Sequence, residues 1–138
     1  MRVDAIKNGL VIDHITAGKA MEIVGLLKLD ELDLPIAIIK NAPSKRLGKK
    51  DIIKIDGDIE LNTEILGYID PDVTINVIKN GEIAEKKHVE LPEMLNNVIC
   101  CKNPRCISSC EQELPQIFKL TDRENRVYRC LYCETKAK

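Results

Sequence analysis

Hydrophobic and polar positions in the first ninety residues alternate between strand-like and helix-like spacing. Leu10–Ile15 reads as a strand, apolar at Leu10, Val11, Ile12 and Ile15. From Gly18 to Leu29 the residues Ala20, Ile23, Val24 and Leu27 recur at helical spacing, after Thr16, a candidate cap. Pro35–Asn41 is a short apolar run that predicts a buried strand. A basic loop follows over Ala42–Lys50, and then the strand Asp51–Ile55. Thr63–Tyr68 predicts a short helix and Val73–Ile78 a strand. Asn80-Gly81 is a two-residue hairpin signal leading into the strand Glu82–His88. The order is βαββαβ plus one hairpin strand. It predicts an α+β domain, an antiparallel sheet with two helices on one face in a ferredoxin-like layer.

Leu91-Pro92 marks a boundary. It divides the chain into a first domain, 1–92, and a small all-β domain, 93–138, of short strands around cysteines. The second has too few apolar residues for a core of its own. Charge follows the same division. Residues 1–95 hold 13 Lys and Arg against 17 Asp and Glu, a net of −4, whereas 96–138 hold 8 against 5, a net of +3. Neither balance is that of a strong polyanion binder. No run approaches the roughly 18 apolar residues needed to span a bilayer, and no signal-peptide pattern opens the chain. A soluble cytoplasmic protein without a membrane partner is the expectation.

All six cysteines lie between Cys100 and Cys133. Clustered pairs without an export signal point to metal and not to a disulfide framework. Cys101-x4-Cys106, 23 further residues and Cys130-x2-Cys133 give two knuckles, each able to present two thiolates to one tetrahedral Zn2+. Four thiolates leave no open position for water, so such a zinc is structural, and it supplies folding free energy to the segment that binds it. Register is the open point. Cys100 and Cys101 are adjacent on an expected strand and point to opposite faces, so only one can ligate. Cys106-x3-Cys110 is a rival knuckle. The Lys-Asn-Pro-Arg turn between Cys101 and Cys106 favours that pair, leaving Cys100 and Cys110 as core or surface thiols.

No catalytic constellation is present: there is no Gly-rich phosphate loop and no nucleophile with a base. The polar pair Asp13-His14 interrupts the first apolar strand. A lone strand histidine is more often structural than ligand-binding, and strand lysines are mostly solvated. Lys50, Lys54 and Lys86 would nevertheless converge on a polyphosphate if their strands were neighbours, with Asp13 suited to ribose hydroxyls or a base amino group.

Several segments carry a resemblance. Val3-Asp4-Ala5-Ile6-Lys7 with Gly9 and Val11–Ile15, Gly48–Asp51 with Ile53-Lys54-Ile55, Thr74-Ile75-Asn76, Leu91-Pro92-Glu93, and both cysteine knuckles are similar to the regulatory chain of aspartate carbamoyltransferase. The similarity runs in order through both domains. It implies a non-catalytic subunit in pyrimidine biosynthesis, whose first domain binds CTP as inhibitor and ATP as activator, with UTP a further candidate. On the matching positions, Asp4, Ala5, Ile6, Val11, Asp13, Asn76, Ile78 and Ile83 would surround base and ribose. His14, Lys50, Lys54 and Lys86 would contact ribose and phosphates, and the loop near Asn41 and Ser44 would approach a second nucleotide or a partner regulatory chain. The zinc domain, with Cys101, Cys106, Cys130 and Cys133 as ligands, would dock onto catalytic-chain trimers through Asn103, Arg105 and Glu134. Regulatory chains would pair as homodimers. Gly81 and Asp4 depart from the family's usual residues, larger in both cases, at the base end. A zinc ribbon binding nucleic acid is the alternative function. It is disfavoured by one Phe, no Trp and no basic stripe with interleaved aromatics.

Overall fold

The computed structural model describes residues 5–46, 48–111 and 113–137. The chain divides into two compact units, 1–90 and 91–138. No helix among the described residues is long and apolar enough to cross a membrane.

The first unit runs β1 (Gly9–Thr16), α1 (Ala20–Leu26), a 3-10 turn (Leu29–Glu31), β2 (Ile36–Ser44), β3 (Gly48–Ile55), α2 (Thr63–Ile69), β4 (Thr74–Lys79) and β5 (Glu82–His88). Its strands form one sheet in the order β2-β3-β1-β4-β5, and every neighbouring pair is antiparallel. Alternation decides the faces. Leu10, Ile12, Ile53, Ile55 and Ile75 enter one apolar cluster with Ala20, Ile23 and Val24 of α1 and Leu66 and Ile69 of α2, so both helices cover the same face. The opposite face carries Val11, Lys54 and Asn76. This is the α+β sandwich expected from the element order. Between β4 and β5, Asn80 and Gly81 have φ of 53° and 79°, the two left-handed residues that a tight hairpin turn needs.

Three details differ from the expectation. The basic stretch 42–50 is not a loop. β2 continues to Ser44 and β3 begins at Gly48, with Ala42, Pro43 and Ser44 opposite Lys50, Lys49 and Gly48. This end of the hairpin lies at the sheet edge, where both faces meet water and the alternation signal vanishes. For the same reason β2 is not a buried strand: its residues are half-buried or exposed, with Ile38, Lys40, Asn41 and Pro43 exposed. Thr16, finally, does not cap α1. The cap is the Asp51 carboxylate, wholly buried, which accepts N–H groups of Gly18 (2.9 Å), Ala20 (3.3 Å) and Asn41 (3.0 Å). A second buried carboxylate, Asp70, accepts the Thr16 N–H at 2.7 Å and the Asp72 N–H at 3.1 Å. Two acids thus satisfy the orphan donors of the β1–α1 corner and the segments beside it. The start of α2 is capped by sequence neighbours, with Asn62 accepting from Glu64 and Ile65. Gly67 lets α2 approach the backbone at Glu90, where a Cβ would stand 1.9 Å from the carbonyl oxygen.

The second unit contains β6 (Met94–Asn96), a one-turn helix α3 (Ile107–Cys110), β7 (Ile117–Asp122) and β8 (Val127–Cys130). The strands form an antiparallel sheet in the order β6-β7-β8. α3 is the one helical addition to the all-β expectation among the described residues. Among the described residues of this unit, the buried side chains apart from the cysteines and Ser108 are Leu91, Leu95, Phe118 and Tyr128. So small an apolar core matches the expectation that metal assists folding. Cys100 and Cys101 do not lie on a strand, because β6 ends at Asn96 and Asn97 turns the chain with φ of 59°.

Candidate functional site

The face of the first sheet opposite its two helices gathers most of the residues singled out from the sequence. In register, Lys54 faces Val11, Val11 faces Asn76, and Asn76 faces Lys86. Directly paired residues point to the same side, so these four form one row across β3, β1, β4 and β5. The lysines are the outer members, with an apolar side chain and an amide between them. Asn76 holds a buried Oδ1 that has no hydrogen-bond partner among the described residues. A buried acceptor without a partner is costly, and a bound donor would relieve it.

One step along β1, a bulge re-aims two polar side chains. Pairing with β3 shifts between Ile12 and Ile15, and His14 takes the left-handed conformation, φ 59°. That extra residue lets Ile12 and Ile15, three apart, both enter the core, with Asp13 and His14 between them. Asp13 accepts the His14 N–H at 2.7 Å and pairs with the Lys50 ammonium at 3.0 Å. Burial raises the Asp13 pKa, but the bond from Lys50, the His14 N–H and the nearby positive charge outweigh it and hold the carboxyl below the usual range. His14 Nδ1 lies 3.0 Å from the hydroxyl of Thr74, a buried residue that the sequence did not flag.

At the other end of the row, Ala5 and Ile6 precede β1 and line a cavity of about 510 Å³ together with Ala37, Lys54 and Asp56. Ile78 pairs with Ile83, whose side chain is 61% exposed, an unusual level for an isoleucine on a strand. Asp4 lies outside the described residues. Asn41 and Ser44 fall on β2, Asn41 at a bulge with φ of 60°. Asp51 and Asp70 were also missed. Asp51 has the same strand parity as Ile53 and Ile55, which is the signal that could have marked it as buried.

In the second unit the thiols of Cys101, Cys106, Cys130 and Cys133 lie within 4.8 Å of one another. Cys101 and Cys133 Sγ are 3.6 Å apart, and so are Cys106 and Cys130 Sγ. Zn–S bonds of about 2.3 Å in a tetrahedron place sulfurs about 3.8 Å apart, so the donor set fits one zinc ion. Cys100 and Cys110 are exposed and outside the cluster, as surface thiols. The first knuckle turns on Asn103, whose Oδ1 accepts the Arg105 N–H at 3.0 Å and whose carbonyl accepts the Cys106 N–H at 3.1 Å. The second turns at Glu134, φ 63°, where the Glu134 N–H donates to the Cys130 carbonyl and the Cys130 N–H to that of Thr135, both at 2.9 Å.

Supporting side chains hold these turns. Gln116 accepts the Cys101 N–H at 3.0 Å and donates to the Ser108 carbonyl at 2.7 Å. Ser108 Oγ lies 3.0 Å from Cys106 Sγ and lowers that thiol's pKa. Thr135 does the same for Cys133 and brings it down to about 6, while burial pushes Cys101 up to about 12. Gln116, Ser108 and Thr135 were not singled out from the sequence. Arg105 and Glu134 are exposed on the knuckles and Asn103 is half-buried.

Both units have counterparts among known families. Residues 1–90 match the family described as aspartate carbamoyltransferase regulatory chain, allosteric domain, and residues 93–138 match its metal binding domain. An aspartate carbamoyltransferase regulatory chain from Clostridium botulinum is 52% identical over 134 residues, covering 97% of this chain and 92% of that protein. One from Clostridium acetobutylicum is 46% identical over the same length. One from Bifidobacterium longum is 43% identical over 138 residues, covering 100% of this chain and 99% of the relative. With both domains matched in order and near full-length identity of this level, the chain belongs to the family of aspartate carbamoyltransferase regulatory chains, non-catalytic subunits with an allosteric and a metal-binding domain.

Proposed function

We propose that the first domain, residues 1–92, is a sensor of nucleoside triphosphates that controls an aspartate carbamoyltransferase catalytic chain. CTP inhibits and ATP activates, with UTP a further effector, all bound on the sheet face opposite the helices. The observation that carries this reading is the row Lys54–Val11–Asn76–Lys86, flanked by the Asp13–Lys50 pair. The ammonium groups of Lys54 on β3 and Lys86 on β5, at the two ends of the row with β1 and β4 between them, reach inward to a triphosphate, and Lys50 and His14 serve ribose and phosphate. Asp13 accepts from ribose hydroxyls. Asp4, Ala5, Ile6, Val11, Ile78 and Ile83 surround the base, and Asn76 Oδ1 takes a donor from the nucleoside. The triphosphate is common to every effector, so the lysines set affinity and the base end sets the sign of the response.

The second domain, 93–138, is the docking module. One structural zinc on Cys101, Cys106, Cys130 and Cys133 shapes the two knuckles, and Asn103, Arg105 and Glu134 on them meet the catalytic chain. Regulatory chains pair as homodimers that link catalytic trimers in the cytoplasm. Transmission is linkage. A nucleotide shifts the assembly between two states only by its differential affinity for them, typically about 1–3 kcal/mol of coupling.

A mixing experiment tests the whole reading. Purified chain is combined with an aspartate carbamoyltransferase catalytic trimer, and activity is measured with and without CTP and ATP. Formation of a complex whose activity falls with CTP and rises with ATP is expected. A complex indifferent to both nucleotides refutes the sensor assignment.

A further inference from the structure

The second unit's sheet carries an arrangement that its fold does not require. Lys119 on β7 sits directly opposite Arg129 on β8, and Arg129 sits opposite Lys136 across a further β-bridge. Directly paired residues share a face, so the three cations form one row on the side away from Phe118, Leu120, Tyr128 and Cys130. All three are exposed. Like charges placed directly across a ladder destabilise it, and a sequence free to vary has little reason to keep three of them in register. Among the described residues no ion pair joins any of the three to a carboxylate. Arg129 uses one guanidinium N–H on the Glu134 carbonyl, at 3.1 Å, which fixes the side chain in place without neutralising it.

We propose that this row is a docking strip for an acidic segment of the aspartate carbamoyltransferase catalytic chain, separate from the knuckle residues Asn103, Arg105 and Glu134. The inference rests on the regulatory reading above, which supplies the catalytic chain as partner. Charge complementarity supplies the rest. Neighbouring strands lie about 4.8 Å apart, so the row sets three charges over about 10 Å. Carboxylates on one face of a helix recur at about 5–6 Å, and a short acidic segment therefore meets all three together. The strip continues toward the metal, because Arg129 precedes the ligand Cys130 and Lys136 follows the second knuckle. It ends at Met94, which pairs with Lys119 and is 46% exposed, an apolar margin that suits a protein surface. Aromatic side chains on which nucleic-acid bases could stack do not belong to the row.

The test compares the full zinc-loaded chain with Lys119→Glu/Arg129→Glu and Lys119→Gln/Arg129→Gln double variants, and with Lys28→Glu, an exposed charge reversal in the first unit. Binding to the catalytic trimer is measured by calorimetry at low and at moderate salt, and zinc content is measured in parallel. We expect the Glu double variant to bind at least tenfold more weakly and the Gln variant to fall between. Zinc stoichiometry and the Lys28→Glu control should be unchanged, and wild-type affinity should fall as salt rises. If wild type binds but the Glu double variant binds equally well, the docking strip is refuted and the regulatory reading stands. If wild type fails to bind the trimer, the regulatory reading fails first. Saturable binding of a duplex oligonucleotide that disappears in the Glu variant, with trimer binding intact, also overturns the proposal.

Discussion

Asp51 offers a sharp test of how the sensor unit is built. Its carboxylate is fully buried, with one oxygen accepting from Gly18 and Ala20 and the other from Asn41. Asp51→Asn keeps the shape but converts one oxygen into an N–H donor. Whichever way the amide turns, at least one backbone N–H then faces a donor, and the remaining bonds lose their charge assistance. A lost hydrogen bond to a charged acceptor is worth about 1.5–3 kcal/mol. Removing a buried charge returns part of this through relieved desolvation. Acceptor loss should still win, because the N–H of buried Ala20 cannot turn to water, and a net cost of about 1–3 kcal/mol follows. For a unit of this size each kcal/mol lowers Tm by roughly 4–8 °C. Urea unfolding of zinc-loaded protein by far-UV circular dichroism gives the magnitude. Amide exchange locates it, with faster exchange expected over the first turn of α1 than in β4. A midpoint unchanged within about 0.5 kcal/mol, or equal acceleration in α1 and β4, would show that the carboxylate does not anchor this corner.

Two more predictions concern the proposed function. Lys54→Ala removes one of two ammonium groups in the row and should weaken CTP and ATP alike by about 10- to 100-fold, the loss of one charge-assisted contact; normal titrations of both nucleotides would remove Lys54 from the site. Cys130→Ser should abolish zinc binding and association with catalytic chains while the first unit still binds nucleotide; co-elution with catalytic trimers in gel filtration without metal would refute the link between zinc and docking.

The legible parts of this fold were those written in local spacing. Ala20, Ile23, Val24 and Leu27 announce α1, and Asn80-Gly81 announces its hairpin, because both signals lie within a few residues of the structure they specify. The cysteine register was legible for the same reason: the Asn-Pro-Arg turn between Cys101 and Cys106 acts locally. What was illegible depends on partners far along the chain. Asp51 looks like a polar residue opening a strand, and only the return of Gly18, Ala20 and Asn41 to its side makes it a cap. Gln116 serves a cysteine fifteen positions away. Asp13-His14 was visible as an interruption, but the bulge that justifies it is a register shift against β3, which β1 alone does not encode. The 42–50 segment read as a loop because an exposed hairpin end has no buried side to impose alternation.

Two of the four zinc ligands, Cys106 and Cys130, are each only 2% exposed, whereas Cys101 and Cys133 are half-buried. An ion held by all four would thus have two ligands inside the unit and two nearer its surface. A chelator would then compete with Cys101 and Cys133 first, and full removal would need β8 and the first knuckle to part. Metal exchange would then follow the opening rate of this small unit, which would retain zinc on a kinetic as well as an equilibrium basis. Any partner that holds the sheet closed slows that exchange further, and the residence time of the ion becomes a readout of assembly.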